Sequence, residues 1–162
     1  MRRVEIYEIE GERKASTLAL TLLRVGVGCL LIAHGWMKLV DIPHFTTDFA
    51  SLGIPNPRLA VYLAILGELF GGIGLVLGAL TPLAAMGPVL TMGSAIYFAH
   101  RHSGLFAQHG GWEYPLTLLL VGLFFVGHGA GPISVDALVA TARRRGLHHH
   151  RHVGSRPSFT RP

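Results

Sequence analysis

Several ionisable residues stand where the surrounding sequence is almost wholly apolar. Arg24, His34 and Lys38 lie in LALTLLRVGVGCLLIAHGWMKLV, and Glu68 lies in YLAILGELFGGIGLVLGAL. His100 and His102 close a third apolar block as AHRH, and Glu113 opens a fourth in GGWEYP. An ammonium, imidazoles and carboxylates brought together can move protons, hold a metal ion, or hydrogen-bond the carbonyls of a quinone.

Helical spacing groups these residues. At about 100° per residue, Leu31, Gly35 and Lys38 stay within about 40° of Arg24, Gly28 lies about 40° to the other side, and His34 about 80° away. Small residues mark contacts between membrane helices, so this stripe is expected to face other helices rather than lipid. Glu68 shares its face with Ala64, Gly71, Gly72, Leu75 and Ala79. At about 1.5 Å per residue, Arg24 lies roughly 10 Å and Glu68 roughly 18 Å from the same end of their blocks, a gap an extended arginine spans. A buried Arg24–Glu68 charge pair is therefore expected, because opposite charges at membrane depth partner one another. Such a pair either locks two helices together or floors a ligand or proton site.

The other end of these blocks collects a candidate ligand pocket of His34, Trp36, Lys38, Tyr97, His100, Trp112 and Glu113. Lys38, His100 and Glu113 are the candidate catalytic groups, and Trp36, Tyr97, Trp112 or Tyr114 offer rings on which a quinone can stack. Taken singly, Trp112, Tyr114 and Lys38 also fit an aromatic belt and a snorkelling cation. No metal site is expected. HRH sets two imidazoles on nearly opposite sides of a helix, and HHHRH at 148–152 sits in a tail containing Gly, Ser and Pro. The single cysteine, Cys29, faces away from the polar stripe and excludes any disulfide within the chain.

The elements that must position these residues follow from composition. Half of the 162 residues are hydrophobic and only 14% are charged, where a soluble domain carries about a quarter. The apolar residues form four blocks, at about 17–40, 59–80, 83–100 and 112–130, each approaching the roughly 20 residues that cross a bilayer. Alternating segments of about 10 residues are absent, which excludes a membrane β-barrel. The first block is too long for a signal peptide and no small-x-small site follows it. The expected fold is all-α, an integral membrane four-helix bundle over residues 17–138, with a cytoplasmic segment at 1–16 and a disordered basic tail at 139–162.

Arg2, Arg3, Arg13 and Lys14 at one terminus and Arg143, Arg144, Arg145, Arg151, Arg156 and Arg161 at the other place both termini in the cytoplasm. The tail's charge fits membrane insertion and attraction to anionic lipid. No folded basic face interleaved with aromatic residues points to nucleic acid. GAGPIS after the fourth block carries helix-stopping residues including Pro132, Ser134 suits the N-cap of a short amphipathic helix, and His128 reads as an interface residue.

The order HGWMKL, GELFGGIGLVLGALTP, MGSAIYFAH, GGWEYPLTLLL and GAGPISVDAL resembles the DoxX family of small four-helix membrane proteins, over about residues 18–138. The resemblance implies a bacterial or archaeal cytoplasmic-membrane protein associated with redox chemistry. Some members of that family are subunits of a thiosulfate:quinone oxidoreductase, and others are linked to complexes of thiol-handling and superoxide-removing enzymes. The motif positions carried over are Arg24, Gly35, Lys38, Glu68, Gly71, Gly72, His100, Glu113, Ser134 and Asp136. Pro82 stands where relatives often have a basic residue.

Two functions remain open on the sequence. One is a membrane subunit of an oxidoreductase, with quinone as the candidate ligand and soluble redox subunits as candidate partners. The other is a membrane scaffold or small-solute permease, with homo-oligomerisation open in either case. No mid-membrane histidine pair for haem, no flavin or nicotinamide fingerprint and no cysteine set for an iron-sulfur cluster is present, which favours an accessory role.

Overall fold

In a computed structural model, the chain is described over residues 2–153, with side chains from residue 10 to residue 145. All regular structure among the described residues is helical. Helix α1 runs Arg2–Val40, continuing the apolar block back through the charged N-terminal segment. After Asp41, whose side chain accepts the His44 N–H, α2 spans Ile42–Ser51. Helix α3 is Pro57–Leu77 and α4 is Thr81–His100, α5 is Glu113–His128, and α6 is Val135–Val153.

Helices α1, α3 and α4 are long and apolar enough to cross a membrane. α5 has 16 residues, about 24 Å of helix. The tail from 139, expected to lack structure, is helical through Val153. Val135, Leu138, Val139 and Ala142 recur at helical spacing, a pattern that the nearby arginines obscure. Residues 154–162, and the side chains of the histidines at 148–152, lie outside the described residues.

Helix α1 packs along α3, α3 against α4, and α4 along α5. Val27 and Leu31 of α1, Leu75 of α3, Ala85 and Met92 of α4, and Leu118 and Phe125 of α5 form one buried apolar cluster. Close backbone approach makes this possible. A Cβ added at Gly28 would lie 2.8 Å from the Gly72 carbonyl oxygen, and one added at Gly72 would lie 2.7 Å from that of Gly28. The outward surface is equally apolar: Leu22, Leu63, Leu83 and Leu120, one on each of these helices, are more than half exposed, as lipid contact requires.

Candidate functional site

Helix α3 is interrupted by a π-helical turn, Leu66–Phe70, which holds Glu68. A π turn inserts an extra residue into the helical ladder and recurs at functional sites. Glu68 is 3% exposed, and its Oε2 accepts a hydrogen bond from Lys38 Nζ at 2.6 Å. The expected Arg24–Glu68 pair is thus replaced by Lys38–Glu68. Gly28 lies against Gly72 and Gly35 against Leu69, so α1 and α3 are antiparallel. Side chains lean toward the N-terminus of their own helix. Lys38 therefore leans toward Glu68 and Glu68 toward Lys38, whereas Arg24 leans away from both.

Around this pair, Lys38 Nζ lies 5.6 Å from the centroid of the Phe45 ring on α2. Phe45 in turn lines a groove of about 430 Å³ with Trp36, Met37, Val40, Asp41 and His44. His34 Nε2 sits 3.3 Å from the Tyr114 hydroxyl, joining α1 to α5. Trp36 opens onto the groove, 59% exposed. Tyr97 faces outward under the Arg101 guanidinium, 4.8 Å from its ring centroid.

His100, Trp112 and Glu113 fasten the loop between α4 and α5. His100 ends a second π turn, Ile96–His100, and its Nδ1 lies 2.6 Å from the Gly110 carbonyl oxygen. A carbonyl only accepts, so the proton sits on Nδ1. Glu113 Oε1 accepts the Ala107 N–H at 2.7 Å, and the Trp112 and Glu113 N–H groups bond Gly104 and Leu105. His102 accepts from Arg101 Nε. Six of the seven residues expected to line one pocket therefore divide between an interior charge pair with its His34–Tyr114 neighbour, a surface groove, and a loop clasp, and the seventh, Tyr97, stands apart on the outer surface.

At the opposite end Arg24, 2% exposed, donates from one guanidinium nitrogen to the Leu75 carbonyl at 2.6 Å and the Val76 carbonyl at 3.4 Å, and from the other to Ile133 at 2.7 Å. Its Nε has no partner among the described residues. The last carbonyls of α3 form the negative end of that helix, which favours a cation. Gly78 adopts φ 64° beside this guanidinium; a Cβ there would lie 2.5 Å from Ser134 Cβ.

Asp136 completes this end. Its Oδ1 and Oδ2 accept the Leu80 and Thr81 N–H groups at 2.8 and 2.9 Å, and its own N–H donates to Gly78. Leu80 holds φ 47°, a conformation costing a non-glycine residue about 1 kcal/mol. The carboxylate thus caps α4 from a distant part of the chain. Burial would push its pKa up, but the Thr81 and Leu80 N–H bonds, a contribution from the Thr81 side chain and the Arg24 charge together hold it below the ordinary aspartate value. Ser134 Oγ accepts the Ala137 N–H at 3.1 Å, as expected of an N-cap. The capping role of Asp136 escaped sequence reasoning. A signal existed: α4 opens as LTP with no local side-chain cap.

Cys29 is exposed on the outside of α1. Among the described residues no three His, Cys, Asp or Glu side chains gather into a metal site.

The family model described as DoxX matches residues 19–101. An uncharacterized protein of Haemophilus influenzae is 32% identical over 120 residues, covering 72% of this chain and 87% of that protein. The inner membrane protein YphA of Escherichia coli is 33% identical over 87 residues, covering 53% of this chain and 62% of YphA. No solved structure matches significantly.

Proposed function

Because the chain belongs to the DoxX family and is a multi-pass inner-membrane protein, we propose that it is the quinone-interacting or anchoring membrane subunit of a redox-linked complex. In this reading α1, α3, α4 and α5 form a four-helix transmembrane bundle with both termini in the cytoplasm. Partner subunits, of the thiosulfate:quinone oxidoreductase or thiol and oxidative-stress type, supply the electrons. Arg13, Lys14 and Arg143 to Arg145 support that orientation.

The observation that carries the proposal is the buried Lys38–Glu68 pair with the His34–Tyr114 contact at the same end of the molecule. Intramembrane ionisable residues mark ligand and proton pathways. Quinone reduction takes up two electrons and two protons. In this reading Lys38 polarises a quinone oxygen and passes it one proton, the second proton comes from water, the partner subunits supply both electrons, and Glu68 holds the ammonium in position. Since His100 and Glu113 bond the loop backbone, Lys38 is the first of the three catalytic candidates.

Purification in mild detergent, with optical and mass analysis of co-purifying quinone and proteins, tests this reading. Bound quinone that is lost in Lys38→Met supports it. A protein that purifies alone, without quinone, and whose Lys38→Met variant leaves membrane electron transfer intact, refutes it.

A second reading, a scaffold or small-solute permease without redox chemistry, is favoured by one observation. Arg24 and Asp136 are both consumed in fastening helices together. The same measurements separate the two: bound quinone lost in Lys38→Met supports the redox subunit, and a chain that purifies without quinone while Lys38→Met leaves membrane electron transfer intact supports the scaffold or permease.

A further inference from the structure

The end of the molecule that holds Arg24 carries a second groove, of about 320 Å³, lined by Arg13, Lys14, Thr17 and Leu18 of α1 and by Ile133 from the segment before α6. Its composition is divided. Arg13 and Lys14 stand one turn before the apolar stretch of α1 begins at Thr17, whereas Leu18 and Ile133, each 56% exposed, form an apolar wall. Neither cation makes an ion pair among the described residues, although Glu10 lies one turn earlier on α1. Cations with no ion-pair partner among the described residues, directly above an exposed apolar wall, match a molecule with a phosphate joined to hydrocarbon.

We propose that this groove binds the headgroup of an anionic phospholipid, its phosphate on Arg13 and Lys14 and its first acyl carbons against Leu18 and Ile133. The level is right for it, because about 20 residues of α1 cross the hydrocarbon and the basic pair falls just outside them. Helix α6 extends the same surface. About its axis, Val135, Leu138, Val139 and Ala142 fall within about 60° of one direction, and Arg143 and Arg145 flank them at about 80° on either side. Val135, Leu138 and Val139 are exposed. Such a helix lies in the membrane interface with its cations at the phosphate level. Asp136 pins the start of α6 to the α3–α4 turn, which holds this face beside Ile133. The site does not depend on any redox role.

Native mass spectrometry of the full chain in detergent, titrated separately with phosphatidylglycerol and phosphatidylcholine, tests the proposal. Phosphatidylglycerol should be retained selectively, and Arg13→Gln/Lys14→Gln should weaken its binding on the order of tenfold. Arg13→Lys/Lys14→Arg should keep it. Both positions are exposed, so the variants should elute and melt as the parent does. Equal retention of both lipids, unchanged phosphatidylglycerol binding in the double glutamine variant, or displacement of the lipid by millimolar inorganic phosphate would each overturn the assignment. Replacing Arg143, Arg144 and Arg145 by glutamine separates the groove from diffuse attraction: a loss there as large as at Arg13 and Lys14 would also overturn it.

Discussion

Lys38 and Glu68 meet at 2.6 Å, with 12% and 4% of their side chains exposed. Removing one partner leaves a buried charge uncompensated, at about 3–5 kcal/mol. Lys38→Met and Glu68→Leu should each lower the melting temperature in detergent, and the double variant should be less destabilised than the sum. Reversal of both charges, Lys38→Glu with Glu68→Lys, should recover much of the loss. Reversal at Arg24 and Glu68 should recover nothing.

Arg24 spreads its guanidinium over carbonyls from α3 and from the segment before α6. A lysine there keeps the charge but not the fork. Arg24→Lys should cost about 1–3 kcal/mol, as expected for losing a hydrogen bond to a charged group. It should also speed amide exchange around residues 129–138 more than at the Lys38 end. Exchange rising uniformly over the molecule would count against this clasp.

Asp136 titrates below the ordinary aspartate value in the folded chain. The stability it contributes is complete above an unfolded pKa of about 3.9 and is lost as pH falls through the lower folded value. Melting curves from pH 7 to pH 3 should show wild type approaching Asp136→Asn as the carboxylate protonates. A gap between the two that stays constant down to pH 3 would contradict this. At pH 7, Asp136→Ala should lose about 0.5–2 kcal/mol, the contribution of a helix N-cap.

Glycine positions on α1 should separate cleanly. Nothing lies within 4 Å of a Cβ built at Gly26, whereas one built at Gly28 or Gly72 meets backbone of the facing helix. Gly26→Ala should be neutral or stabilising by up to about 1 kcal/mol. Gly72→Ala should lower the melting temperature by forcing α1 and α3 apart.

Much of this architecture was legible in the sequence. Composition and block length gave the helices, because a bilayer leaves few other solutions, and the small-residue stripe identified the α1 face that meets α3. Charge partners were not legible, for two physical reasons. Depth counted along helix axes ignores the lean of side chains toward their own N-termini, which joins Lys38 to Glu68 across antiparallel helices. Backbone carbonyls, which absorb Arg24, are present at every residue and leave no mark in a sequence. The division of the pocket has a similar origin: His100 and Glu113 look free on helix ends but are taken by amide groups of the loop between them.

The bond from Arg24 to Ile133 spans 109 residues. At about 5–20 residues per second of synthesis, the first span waits roughly 5–20 s for the carbonyl that completes its guanidinium's partners. Its charge therefore passes through the insertion machinery before its last acceptor exists. The membrane domain can close only after nearly all of it has been made, so a chain truncated before residue 133 should remain a target for quality-control proteases.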